Sequence, residues 1–326
     1  MSDNDKKTFS RTRRALLKGA AIGGVMLASA AARAAANDGG VLRLGVIGPT
    51  RAPVAPTGYA IARGYLQREL APLGFTSVAV HVFANGPDLN EAFFSGALDV
   101  GIYGDTPAVV ARSQGLKGRL IGFEEIGLNS WLVTPHGGVQ SVKELEGKTV
   151  AVALGSYMHR YLLGVLDAAG LTGRTHVVYM LGGDAEATLQ HASIGAYAAP
   201  IDLGPVPVSH GFPAIDQAAQ HPNLLGSSVI VASNDILSRA PQLPNAWNRA
   251  RRAAIADIQR DSEAYYAFHK SQGGFPLDAI KASHPLANFP VDAGPSNGLQ
   301  RLGGVKTFLL AAHLIHDDFP LQQWQV

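Results

Sequence analysis

Apolar positions along the body of the chain fall into two rhythms. Residues 41–47, 78–83, 99–103, 119–124, 131–134, 149–153, 176–180, 194–199 and 227–232 are continuous or alternating apolar runs of strand length. Between them lie stretches of helical spacing. In residues 57–70, Ile61, Tyr65, Leu66 and Leu70 recur near one face. In residues 157–169, Tyr161, Leu162, Val165, Leu166 and Ala169 do the same, and Gly170 ends the run. Residues 107–114 predict a further helix, Asp88 opens another with Glu91 three places on as in a capping box, and one starts near Asp184. From Leu243 onward the pattern is mostly helical. Strands alternating with helices predict an α/β fold with parallel sheets covered on both faces. No repeat of about 20–50 residues interrupts this order.

At 326 residues the chain exceeds one ordinary hydrophobic core, which predicts two lobes. It has no cysteine, so disulfides, thiolate metal sites and thiol nucleophiles are excluded. No uncharged apolar run reaches the length of a membrane-spanning helix.

The basic pI of 8.8 is a local effect. Residues 1–36 hold Lys6, Lys7, Arg11, Arg13, Arg14, Lys18 and Arg33 against Asp3 and Asp5, and the remainder is mildly acidic, which argues against a nucleic-acid partner. A basic stretch ending at Lys18, small and apolar residues 19–32, and alanine triplets at 30–32 and 34–36 form the three-part layout of an export signal, with cleavage expected after Ala34 or Ala36. The segment Thr12-Arg13-Arg14-Ala15-Leu16-Leu17-Lys18 resembles the twin-arginine motif, with Leu16 where that family often has Phe. The expected destination is the periplasm, through the twin-arginine translocation machinery.

Three strand-to-helix junctions share one design: Gly48-Pro49-Thr50-Arg51, Gly104-Asp105-Thr106-Pro107 and Leu154-Gly155-Ser156-Tyr157. Thr106 or Asp105 is placed to cap the second helix, with Pro107 in its first turn, and Ser156 to cap the third. In a parallel sheet such junctions sit at the carboxyl ends of strands, where open α/β proteins bind ligands and where helix starts offer N–H groups to an anion. Capping alone also explains these residues.

The runs Phe83-Ala84-Asn85-Gly86-Pro87-Asp88-Leu89-Asn90-Glu91-Ala92, Ser95-Gly96-Ala97-Leu98-Asp99-Val100-Gly101 and Leu145-Glu146-Gly147-Lys148-Thr149-Val150-Ala151-Val152, followed by Gly155-Ser156 and Ala168-Ala169-Gly170-Leu171, resemble the substrate-binding proteins of sulfonate, taurine and nitrate ABC transporters. The resemblance covers residues 41–200 and fades beyond. It implies a two-lobed, type II periplasmic-binding-protein fold, monomeric, with lobe 1 in 37–127 and 226–326 and lobe 2 in 128–225, closing over a small anionic solute and delivering it to a permease. Ligands of such receptors include sulfonates, nitrate, aromatic carboxylates and pyrimidines. One departure is Gly195-Ala196-Tyr197-Ala198-Ala199-Pro200, where the family often has an acid and two tryptophans. Read as crevice wall, this loss of bulk implies a larger ligand, unless Tyr157, Met158 and His159 refill the space.

The expected ligand-binding set is Thr50, Arg51, Asp105, Thr106, Ser130, Ser156, Tyr157, His159 and Pro200, with Trp131 read as core ahead of ligand platform. His313 and His316, with Asp317 and Asp318, have helical spacing but read as surface, so no metal is expected. No cofactor is implied. The alternative is an exported enzyme on the same two-lobed fold. Relatives that cleave aromatic sulfinates use a cysteine, absent here, and no nucleophile elbow, phosphate loop or His-Glu-x-x-His motif occurs.

Overall fold

The computed structural model describes residues 40–326, so the export signal expected in residues 1–36 lies outside the described residues. Among the described residues, ten strands form two five-stranded sheets. The first has the order β2 (Ser77–Phe83), β1 (Val41–Ile47), β3 (Val100–Gly104), β10 (Gly226–Ser233) and β4 (Gly118–Leu128). The second has the order β7 (His176–Tyr179), β6 (Thr149–Val152), β8 (Ala196–Ala199), β5 (Trp131–Val133) and β9 (Ala214–Gln217).

Both sheets are mixed, where the alternating pattern predicts parallel ones. β1 runs parallel to β3, and β6 runs parallel to β7 and β8. β10 is antiparallel to β3 and β4, and β5 is antiparallel to β8 and β9. The reason is connectivity: β5 is reached from β4, and β10 from β9, by direct passage between the sheets rather than by a helical crossover. Asn129 and Gln217 share a hydrogen bond of 3.2 Å, the Ala218 N–H donates to the Ser130 carbonyl at 2.9 Å, and the Ala219 N–H donates to Asn129 Oδ1 at 2.8 Å. These bonds tie the two passages together.

Alternate residues of each strand feed cores on opposite faces. In the first sheet, Leu44, Ile102 and Ile230 pack with helix Leu243–Arg260, whereas Tyr103, Val229 and Val231 pack with helices Asp105–Ser113 and Ser296–Ala311. In the second, Val150, Val152 and Ala198 meet helix Tyr157–Ala168, and Ala151, Tyr197 and Ala199 meet Ala185 and Leu189. Trp131 is 6% exposed and belongs to this last core.

Local departures have local causes. The expected helix 57–70 is two helices, Pro56–Ala62 and Tyr65–Leu70, because Gly64 between them turns left-handed at φ 72°. The helix expected to open at Asp88 starts at Gly86: Asn85 is its N-cap, and its side chain accepts the Asp88 N–H.

Candidate functional site

A cavity of about 470 Å³ lies between the strand ends of the two sheets. Residues 46–50 at the end of β1, Gly104 at the end of β3, and Ala153, Leu154 and Ser156 after β6 line it, together with Asn85 and Gly86 at the start of helix Gly86–Phe94 and residues 200–203 after β8. Its floor carries Glu124 and Glu125 from the middle of β4, and His284 reaches it from the end of helix Leu277–Ser283. Among the described residues, no Lys or Arg lines it.

Four of the nine expected residues, Thr50, Ser156, Tyr157 and Pro200, line this cavity. Ser156 is the N-cap of helix Tyr157–Ala168. Its oxygen accepts the His159 N–H at 3.1 Å, and its hydroxyl donates to the Ala153 carbonyl at 2.5 Å. The hydroxyl proton is therefore engaged, and the first-turn N–H groups of Tyr157 and Met158 have no carbonyl partner within the helix. The Tyr157 ring packs against Gly226 of β10, where a Cβ would come within 2.6 Å of it, and its hydroxyl accepts the Ile201 N–H at 3.1 Å. Burial pushes the Tyr157 phenol far above its usual range. The Thr50 hydroxyl donates to the Ala52 carbonyl at 2.7 Å.

The other five lie off the cavity. Arg51 is exposed on the first junction. Ser130 is fully buried and donates to the Ala199 carbonyl, tying β5 to β8. His159 accepts the Gly155 N–H on Nδ1, and burial lowers its pKa. Asp105 and Thr106 do not cap their helix, whose N-cap is Gly104 without a side-chain bond. Asp105 instead accepts the Ser227 N–H at 2.7 Å and the Thr106 hydroxyl at 3.0 Å, and it faces Arg160 at 3.7 Å. Burial raises the Asp105 pKa against the pull of Arg160. The fading of bulk in residues 195–200 is also not where the sequence placed it. Gly195 borders an outlying hollow with Lys148 and Thr149, and it is Tyr197 and Pro200 that reach the central cavity.

The acidic floor escaped the sequence reading. Glu124 accepts the Thr57 N–H at 2.5 Å, the Thr57 hydroxyl at 2.7 Å and Arg251 Nε at 3.1 Å, so it anchors helix Pro56–Ala62 and is neutralised in place. Burial raises its pKa, and Arg251 opposes the shift. Beside it, Glu125 Oε2 meets His284 Nδ1 at 2.9 Å, and His284 Nε2 meets Asp202 Oδ1 at 3.1 Å. Burial alone would lower the His284 pKa, but Glu125 and Asp202 overcome it and push it up to about 10. Burial likewise acts upward on Asp202, and His284 and His269 together hold it well below the usual carboxylate range. Two adjacent glutamates at the end of the apolar run 119–124 were the available signal.

Two mixed sheets with a cavity between their strand ends define the periplasmic-binding-protein architecture. The solved alkanesulfonate-binding protein SsuA from Xanthomonas axonopodis pv. citri, bound to MOPS, superposes at a TM-score of 0.73 with 18% identity, over 88% of this chain and 98% of that one. The desulfurization enzyme DSZB superposes at 0.70 with 15% identity, over 88% and 96%. Residues 54–264 match the NMT1/THI5-like family, and the chain belongs to it. That match extends well past residue 200, where the sequence resemblance had faded. An aliphatic sulfonates-binding protein of Escherichia coli (strain K12) is 32% identical over 119 residues, 36% of this chain, and the aligned part spans 37% of that protein's length.

Proposed function

We propose that the protein is the periplasmic solute-binding component of an ABC importer, exported by the twin-arginine route and acting as a monomer that hands its solute to a permease. Lobe 1 comprises residues 37–127 and 226–326, lobe 2 comprises 128–225, and the passages tied by Asn129, Ser130 and Gln217 serve as the hinge. The observation that carries this reading is the cavity, enclosed by strand ends of both sheets and faced by the starts of helices Gly86–Phe94 and Tyr157–Ala168. Similarity to sulfonate-binding proteins supports it.

With no Lys or Arg in the lining, the positive potential of the helix starts holds the acidic group of the solute, and Thr50, Tyr157 and Pro200 border its body. The apolar lining selects a solute larger than nitrate or taurine, a long-chain or aromatic sulfonate or carboxylate. Binding is not followed by turnover.

Thermal unfolding in the presence of nitrate, taurine, longer alkanesulfonates, aromatic carboxylates and pyrimidines tests this. A true ligand at about 100 times its Kd adds about 2.7 kcal/mol of stability. Stabilisation by nitrate or taurine alone contradicts the size assignment. Product formed in excess over protein, after incubation with a stabilising ligand, moves the protein to the enzymes of this fold.

A further inference from the structure

We propose that Asp202, His269 and His284 form a binding site for a divalent transition-metal ion of the zinc class in the wall of the cavity. One oxygen of Asp202 and one nitrogen of each histidine lie within 4.8 Å of one another. His284 Nε2 is 3.1 Å and His269 Nε2 is 3.4 Å from Asp202 Oδ1. Ligands about 2.0–2.1 Å from a tetrahedral ion are about 3.3 Å apart, so both carboxylate–imidazole separations fit one ion, and the two imidazole nitrogens, within 4.8 Å of each other, close on it by side-chain rotation.

His269 is the reason to look beyond a proton shared among neighbours. It is fully buried, its Nδ1 has no hydrogen-bond partner, and its Nε2 meets Asp202 Oδ1 at 3.4 Å, outside good hydrogen-bond geometry. An imidazole held this loosely in a closed interior is costly. A hydrogen-bonded chain from Glu125 through His284 to Asp202 accounts for His284 and leaves His269 unexplained. A metal ion accepts the lone pair of His269 and the lone pair of His284 together.

The surroundings match a metal site. Glu125 Oε2 on His284 Nδ1 is the carboxylate–imidazole arrangement that orients a metal-binding imidazole, and an ion displaces to solvent the Nε2 proton that His284 otherwise shares with Asp202 Oδ1. The Asp202 N–H donates to Ser283 Oγ at 2.7 Å, which holds the carboxylate loop against the end of the helix carrying His284. Two imidazoles and a carboxylate suit zinc and its first-row neighbours rather than calcium or magnesium. Asp202 and His284 line the cavity, so an ion enters from there. The site does not depend on which solute the cavity takes.

Calorimetric titration of the full, chelator-treated chain with zinc chloride tests the proposal. One ion per chain is expected. His269→Gln is expected to weaken binding by at least about 100-fold, and Glu125→Gln by about 10–100-fold as an outer partner. The double variant His313→Gln/His316→Gln, on the surface, should bind as the unaltered chain does. Absence of saturable one-to-one binding, or full affinity in folded His269→Gln, overturns the assignment. Should His269→Gln not fold, cobalt titration of the unaltered chain followed by NMR of the histidine ring protons decides instead. Shifts at His269 and His284 support the site, and shifts confined to exposed histidines overturn it.

Discussion

The junctions after β3 and β6 carry the same pattern, glycine followed by a capping-type side chain at a helix start, and they do different work. After β6, Ser156 caps its own helix and faces the cavity. After β3, Asp105 leaves its helix uncapped by any side chain and turns into the protein. The cause is a third element. The β10–β4 register slips between Gly226 and Ser227, and the Asp105 carboxylate accepts the buried N–H of Ser227. A carboxylate so committed needs a counter-charge, and Arg160 from helix Tyr157–Ala168 supplies it while also donating to the carbonyls of Asn223 and Leu225. A capping residue is thus recruited by whichever neighbour has the larger unmet need, and that neighbour is set by tertiary contacts.

The largest effect separating the two junctions is expected from Arg160. Replacing it with Met leaves Asp105 buried without its cation and strands two carbonyls. Breaking a buried pair from one side costs about 3–5 kcal/mol. Urea unfolding of Arg160→Met should show that loss. A loss below about 1 kcal/mol would place the β3 junction with the β6 junction as a replaceable cap.

At the β6 junction the expected effects are smaller in stability and larger in binding. Ser156→Ala removes a cap worth about 0.5–2 kcal/mol. Ser156→Asp restores the cap, since its carboxylate also accepts the His159 N–H, but it sets a negative charge beside the N–H groups that the proposed anion uses. Calorimetry with a ligand found by thermal shift should show Ser156→Asp weakened by more than about tenfold, at near-normal stability. Undiminished binding by Ser156→Asp would move the anion to the Thr50 side of the cavity.

Most of the strand and helix positions were legible, because period-two and period-3.6 spacing depend only on nearby residues. The β6–α junction was legible for the same reason: Ser156 acts on its own first turn. The antiparallel β5 and β10 were not, because a strand's direction is set by the passage that leads to it, and 129–130 and 218–225 carry no directional signal. Nor were the partners of Asp105, His269 and Asp202, which lie 122, 67 and 82 positions away or involve atoms met only on folding. Tyr157 was legible by position, yet its contact with Gly226 was not.

His159 sharpens the comparison through pH. Its neutral ring accepts the Gly155 N–H within the β6 junction, and burial depresses its pKa below the ordinary 6.5. As pH falls, the unfolded chain takes up this proton first, so the stability His159 contributes is full above about 6.5 and is lost as pH drops through the depressed value. Protonation also sets a cation at a helix N-terminus, which the macrodipole disfavours. Unfolding midpoints across this range should fall more steeply for the unaltered chain than for His159→Gln. Parallel curves would show that the ring makes no pH-dependent contribution to this junction.

Arg51 gives the smallest expected effect and the test of the remaining junction, after β1. Of the three junctions only this one carries a cation, and an anion site built on charge would use it. The side chain is exposed and off the cavity lining, whereas Thr50 beside it is 7% exposed and lines the cavity. An exposed charge is screened by water and salt, and its coupling to a buried solute is correspondingly weak. Arg51→Ala should therefore leave the unfolding midpoint unchanged and alter the affinity for an anionic ligand by less than about fivefold. A larger loss, abolished at high salt, would mean that Arg51 guides the solute in from outside. A larger loss that survives high salt would mean that residues 48–54 fold over the solute and bring Arg51 into contact with it, making the β1 junction, rather than the β6 junction, the seat of the charge.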